Sequence, residues 1–263
     1  YQITSPLLVD DTLMIQDPIS SRLYVGATGR ILMTRESHNF SKTPEWHIIA
    51  NITGTTQTMS VSNCGNYLFV GTSGGRLYRL SNLNLAYDSL SAAATSAFSV
   101  IELKELSIAA GSRAVTSIAI DPKNPARVVV TLGNYGNVNY VFMSTNALDA
   151  EPTFVSKQGN LPRMPVYSSI IDLTSPNTVI LGTEFGIFTT TNIGAASPVW
   201  SEDKTGGIAR VPVYALYQQT HMFPGHTNYG VIYAGSHGRG AFESFSLVPV
   251  KEFENNNKIN STL

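Results

Sequence analysis

The chain has 263 residues, of which 43% are hydrophobic and only 13% charged, and its formal net charge is −1. That length can bury a substantial core in a single all-β domain. The near-neutral balance argues against a nucleic-acid binder, which needs a basic stripe to displace counterions. Ser, Thr, Asn, Gly and Tyr fill the surface that charged residues leave, a composition met in secreted and cell-surface β proteins. The lone cysteine, Cys64, forms no intrachain disulfide; its setting, Val61–Asn66, reads as a turn before a strand and the thiol as free and structural. No run approaches the ~20 apolar residues of a membrane-spanning helix. The chain starts on Tyr1, inside a strand-like segment and without a signal peptide, which we read as a fragment or a processed product.

Along the chain, one phrase recurs five times: an apolar β-type run ending in glycine. The copies are Leu23–Ala27, Leu68–Thr72, Val129–Gly133, Ile180–Thr183 and Ile232–Ser236, with marker glycines at 26, 71, 133, 182 and 235. Steps of 45 to 62 residues suit one four-stranded antiparallel sheet per repeat. The polar stretch Ser81–Ser99, expected as a loop or short helix on the rim, accounts for the longest step. In the third repeat Val115–Ile120 is an inner strand, Asp121–Pro125 a turn, Arg127–Leu132 a second strand and Tyr140–Ser144 a third. The fourth is the clearest. It runs Val166–Asp172, turn Thr174–Asn177, Thr178–Gly182, hairpin Glu184–Gly186, Ile187–Thr191, then a fourth strand starting at Val199–Trp200.

One such sheet is apolar on both faces, so the repeats must pack against each other around an axis. The expected fold class is all-β: a β-propeller of four-stranded antiparallel blades, about five visible, forming part of a larger ring. The blades fall roughly at 1–40, 41–85, 100–150, 151–196 and 197–247, making a propeller over 1–250 and a polar, asparagine-rich tail over 251–263.

The repeats resemble the sialidase-like, BNR or Asp-box propellers, a group that includes sortilin-type and xyloglucanase-type members. The resemblance rests on Ala119–Pro122 and on Leu181–Phe188, an Asp-Pro strand end and a Gly-Thr strand end with a Gly-aromatic hairpin. The boxes themselves are degenerate. Thr190-Thr191-Asn192-Ile193-Gly194 followed by Trp200 has Asn for Asp, and Ser144-Thr145-Asn146-Ala147-Leu148 loses the glycine too. The ending Gly235–Phe242 is similar to a last-blade motif of large secreted Bacteroidota proteins, which implies a linker and type IX sorting domain downstream.

Meander connectivity puts the loop before each inner strand and the second hairpin on one face. That face should carry Arg113, Arg163 and Arg210, with Arg30, Arg76, Tyr135, Glu184, Phe185, His237 and Arg239. Three arginines can clamp a carboxylate, since a guanidinium fork matches it bidentately; the plainer reading is a repeated position with each arginine solvated or capping a carbonyl. The sialidase resemblance implies a tyrosine nucleophile paired with a glutamate and an acid–base aspartate, yet Tyr167 and Tyr214 read as core packing. A xyloglucanase-type site needs two carboxylates across a cleft. Of Asp10, Asp11, Asp17, Glu36, Asp88, Asp172, Glu184 and Glu202, only Glu184 falls in a face hairpin, while Asp17 and Asp121 read as turn formers. His221, His226 and His237 match no metal motif and read as a surface loop.

The expected function is therefore a non-enzymatic, secreted or cell-surface (bacterial envelope) binding or scaffold module. It would recognise a protein or glycan through residues of the loop face: Arg113, Arg163, Arg210, Glu184, Phe185, His237 and Arg239. No catalytic residue, cofactor, metal, nucleic acid or membrane-spanning segment is expected, and other chains of a larger assembly are possible partners. The alternatives are a glycoside hydrolase or sialidase-like enzyme, and a structural subunit of an envelope or secretion assembly.

Overall fold

The computed structural model describes residues 8–9, 22–35, 37, 40–41, 43–84, 100–203, 208, 210–220 and 227–245. They form four antiparallel sheets. The first holds β1 (Leu8–Val9), β2 (Leu23–Thr34), β3 (His47–Val61), β4 (Leu68–Thr72), β5 (Leu77–Ser81) and β6 (Glu102–Leu106), in that order. The second holds β7 (Val115–Asp121), β8 (Asn124–Leu132), β9 (Val141–Ser144) and β10 (Val155–Ser156). The third holds β11 (Val166–Ile171), β12 (Val179–Thr183), β13 (Gly186–Thr190) and β14 (Ser201–Glu202). The last is β15 (Val213–Gln218), β16 (Ile232–Ser236) and β17 (Gly240–Ser244). Among the described residues the sheets do not close a ring.

The six-stranded sheet is two repeats fused through one strand. Residues 47–55 of β3 pair with β2, and residues 56–61 pair with β4. The strand turns at Gly54, whose φ of 103° is open to glycine and costly for other residues. The expected rim segment over 85–99, the loop 221–226 and the tail over 251–263 lie outside the described residues.

From β3 onward the registers make the repeats superposable. Leu68, Val128, Val179 and Ile232 pair with Leu80, Ser144, Thr190 and Ser244. On that frame the marker glycines Gly71, Gly182 and Gly235 are equivalent, but the third repeat has Thr131 there, and Gly133 lies two residues later. Glycine is required where the neighbouring strand crowds in. A Cβ on Gly71 would lie 2.4 Å from Val115 Cγ1, and one on Gly182 would lie 2.6 Å from the Val213 carbonyl. Thr131 fits because its hydroxyl meets Thr116 Oγ1 at 3.1 Å.

The main core lies between the sheets. Phe69, Val115, Val130, Phe142, Val166, Leu181 and Trp200 join the first three sheets in one apolar cluster, and Ile180, Val213, Ile232 and Ala234 join the third to the last. Inner strands also bond directly: Ser169 N donates to Ser117 Oγ at 3.0 Å, and Leu173 N donates to Gln218 Oε1 at 2.9 Å.

At the edge opposite the hairpin face, three asparagine turns repeat. Asn146 Oδ1 accepts from Thr153 N at 3.0 Å, and Asn192 Oδ1 accepts from Val199 N at 3.3 Å. Asn82 Nδ2 donates to the Val100 carbonyl at 3.1 Å. The next residue is in each case an apolar plug, Phe154, Trp200 or Ile101. The segments Ser144–Leu148 and Thr190–Gly194 thus make one turn, and Asn82 holds the equivalent register position in the first sheet, where its amide donates instead of accepting. Each turn receives a buried cation from the preceding repeat. Arg22 Nη2 donates to Asn84 Oδ1 at 3.0 Å, Arg79 Nη1 to the Ala147 carbonyl at 2.6 Å, and Lys157 Nζ to the Ala195 carbonyl at 2.7 Å. Burial holds the Arg79 and Lys157 pKa values below their ordinary range.

Candidate functional site

Every inner strand from β3 onward carries a β-bulge at the same place. The registers slip between Thr56 and Thr58, Val115 and Ser117, Val166 and Ser168, and Val213 and Ala215. The extra residue is Gln57, Thr116, Tyr167 or Tyr214. A bulge re-aims a side chain, and here it turns two tyrosines out of the core. Both follow a repeated phrase, Arg163-Met164-Pro165-Val166-Tyr167 and Arg210-Val211-Pro212-Val213-Tyr214.

The first hairpin residue is fixed just as regularly. Ser73, Gly133, Glu184 and His237 each donate their backbone N–H to the carbonyl two residues before the bulge, those of Thr55, Ala114, Pro165 and Pro212, at 2.8 to 3.1 Å. Glu184 and His237 are therefore equivalent positions, and each lies beside the bulge tyrosine of its own repeat. Tyr167 Oη donates to Glu184 Oε2, and the Tyr214 and His237 rings meet edge-on at 6.0 Å. The two pairs touch, with the Tyr167 and Tyr214 rings 4.8 Å apart and inclined at 57°. Tyr135, from the hairpin between β8 and β9, lies close enough to the Glu184 carboxylate to feel its charge.

The core reading of the two tyrosines is thereby corrected. Tyr214 is 52% exposed and Tyr167 half-buried, because the bulge places them on the hairpin face. Burial first, and the Glu184 carboxylate second, push the phenol pKa values of Tyr167 and Tyr135 above the ordinary range. Both remain hydrogen-bond donors at neutral pH.

Beside this cluster runs an open groove of about 480 Å³, lined by Pro162, Met164, Phe185, Phe188, Glu202 and Arg210. Arg210 is a groove wall with its fork already filled: Nε and Nη2 donate to the two carboxylate oxygens of Glu202 at 2.6 and 2.8 Å. The other arginines do not join it in an ion-paired clamp. Arg113 lies under the Tyr135 hairpin, close enough that a Cβ on Gly136 would sit 3.0 Å from its Nη2. Arg163 and Arg239 are exposed and form no ion pair with any described residue. Arg76 pairs with Glu105 at 2.7 Å.

The structure thus brings Glu184 and His237 into one cluster with three tyrosines, and Phe185 and Arg210 into the adjoining groove. Glu202, Met164 and Pro162 were not anticipated as groove residues; Glu202 eight positions before Arg210 was the available signal. Asp172, a candidate acid in the sequence, sits at the far edge, where it accepts from Thr174, Ser175 and Gln218. Asp121 does form a turn, accepting from Lys123 N at 2.9 Å. His221, His226, Asp10, Asp11, Asp17, Glu36 and Asp88 lie outside the described residues. Among the described residues no group of three His, Cys, Asp or Glu side chains is placed to hold a metal ion, and no helix is long and apolar enough to cross a membrane.

No family model and no curated protein matches the chain. Solved structures do. The chain is similar to the Myceliophthora thermophila Swd1 β-propeller domain, with a TM-score of 0.58 and 11% identity over 84% of this chain and 61% of that one. Chaetomium thermophilum Sqt1, solved bound to the N-terminus of a ribosomal protein, matches with a TM-score of 0.55 and 14% identity over 90% of this chain and 56% of that one. The Niastella koreensis GH74 enzyme matches with a TM-score of 0.51 and 15% identity. That match covers 86% of this chain but 33% of the enzyme, so the chain spans about a third of its length. The fold is that of a β-propeller.

Proposed function

We propose that the chain is a non-enzymatic binding module whose hairpin face captures a polypeptide partner. One observation carries this reading: the face joins an exposed aromatic cluster to an open groove whose carboxylate, Glu202, is tied to Arg210. Exposed aromatic side chains of this kind are typical anchors of protein interfaces, and a pair of free carboxylates across a cleft, as hydrolysis requires, is missing among the described residues. The Sqt1 structure supplies a precedent, since Sqt1 was solved bound to the N-terminus of a ribosomal protein. We further read the three asparagine turns as Asp-box variants, supported by the hydrogen bond that Asn146 and Asn192 share and by the apolar plug at all three. Surface display belongs to the same proposal, supported by the low share of charged residues, 13%; proteolysis of the chain on intact cells tests it.

A second reading rests on one contact. Tyr167 hydrogen-bonded to Glu184 is the tyrosine–glutamate pair that a sialidase-like enzyme would use. Among the described residues no aspartate hydrogen-bonds Tyr167 or Glu184, and the groove arginine, Arg210, is already paired with Glu202. The GH74 similarity keeps a glycosidase in view as the other enzymatic form of this reading. Hydrolysis assays on a sialoside and a xyloglucan oligosaccharide separate the readings. No turnover is expected; turnover abolished by Tyr167→Phe or Glu184→Gln would replace the binding module with an enzyme.

A further inference from the structure

Glu184 is unusual in what surrounds it. It is half-buried, its one side-chain hydrogen bond among the described residues comes from a neutral phenol, Tyr167, and a second phenol, Tyr135, lies nearby. A carboxylate withdrawn from water normally acquires a cation, because its desolvation cost is offset by a paired charge. None of Arg113, Arg163, Arg239 or His237 on the same face approaches Glu184 within ion-pair distance, whereas Arg76, Arg210 and Lys104 all find carboxylates elsewhere. A phenol hydrogen bond stabilises the charge without neutralising it. The negative charge is left facing a wall of aromatic rings, of which Tyr135 is 58% and Tyr214 52% exposed.

Aromatic faces attract cations through their quadrupole, and organic cations most readily, because they are weakly hydrated. A single carboxylate with phenols is a poor site for a hard metal ion, which requires several oxygen ligands. The missing partner of Glu184 is therefore a carbon-borne cation supplied from outside. We propose that the cluster of Tyr135, Tyr167, Tyr214 and Glu184 binds the cationic side chain of a lysine or arginine on a partner polypeptide. The bulge in β11 and β15 is the device that builds this site, since the equivalent positions in the two preceding repeats carry Gln57 and Thr116. The adjoining apolar wall of Phe185, Met164 and Pro162 then receives the residues flanking that basic side chain.

This inference deepens the binding-module reading and rests on it. The test uses the full chain and three probes, the N-acetyl N-methylamides of lysine, arginine and norleucine, followed by the tyrosine ring signals in NMR. Saturable shifts of the Tyr135, Tyr167 and Tyr214 rings are expected with lysine or arginine, at least about tenfold tighter than with norleucine. Whichever cation binds better identifies the side chain. Glu184→Gln should weaken that binding about tenfold, and Tyr214→Leu, at an exposed position, should do so without changing the unfolding midpoint. Equal binding of norleucine, absence of saturable shifts with both cations, or an unchanged affinity in Glu184→Gln would overturn the proposal. Turnover of a glycoside alongside intact cation binding would remove the binding-module reading alone.

Discussion

Two carboxylates at opposite ends of the third sheet, Asp172 and Glu184, are treated in opposite ways. At the turn end, Asp172 is buried and accepts from Gln218 Nε2, Thr174 Oγ1 and Ser175 N at 2.6 to 3.1 Å. At the hairpin end, Glu184 is half-buried and its side chain is bonded, among the described residues, only by the Tyr167 phenol. The contrast extends across repeats. The turn edge ties each unit to the next with buried cations on backbone carbonyls, leaving its polar groups consumed by the fold. The hairpin edge keeps the same backbone frame in every repeat but varies its side chains freely: Gln57 with Ser73, Thr116 with Gly133, Tyr167 with Glu184, Tyr214 with His237. Architecture resides at one end, and the capacity to bind resides at the other.

The sharpest way to break this division is Arg79→Met. The side chain is 7% exposed and its Nη1 serves the carbonyls of Ala147 and Asp149. Leaving buried acceptors unpaired should cost about 3 kcal/mol, seen as a lower urea midpoint, while Tyr214→Leu at the other end should change stability by well under 1 kcal/mol. Equal losses would erase the distinction. Next in size is Asp172→Ala, expected to cost about 2 kcal/mol because Gln218 and Ser175 lose their acceptor, with Asp172→Asn recovering part of it. A third comparison uses the asparagine turn: Asn192→Ala should cost about 1 kcal/mol and Asn192→Asp much less, since an aspartate oxygen can accept from Val199 N in the same way.

Repetition made much of this legible in the sequence. The strand-and-glycine phrase gave the sheets, and the alternation of loops gave the face on which Glu184, Phe185, His237 and Arg210 do lie. What escaped reading was local. Gly133 looked like a marker glycine because its repeat has a longer hairpin, and only the register shows Thr131 in that place. Tyr167 and Tyr214 looked like core residues because a strand's alternation says nothing of an inserted residue; the small residues Ser168 and Ala215 that follow them, opposite Gly182 and Gly235, were the available sign. The Arg210–Glu202 pair joins a loop to an outer strand of two residues, too short to be recognised by pattern.

The smallest expected effect is the most specific to the hairpin end. Tyr167 keeps its proton in the folded chain beyond the pH at which an unfolded tyrosine releases it, near 10. Above that pH the native state binds more protons than the unfolded state, so the stability contributed by this phenol is fully present below about pH 10 and declines as pH rises further. Tyrosinate absorbance at 295 nm should therefore show a late-titrating component in the native chain, smaller by one tyrosine in Tyr167→Phe. Burial contributes most to the shift and Glu184 the next part, so Glu184→Gln should move the late component earlier without merging it with the exposed tyrosines. If that component instead responds to Asp172→Asn and not to Glu184→Gln, the phenol is governed by the fold rather than by the carboxylate beside it, and the separation of the two ends fails at the residue on which the proposed site depends.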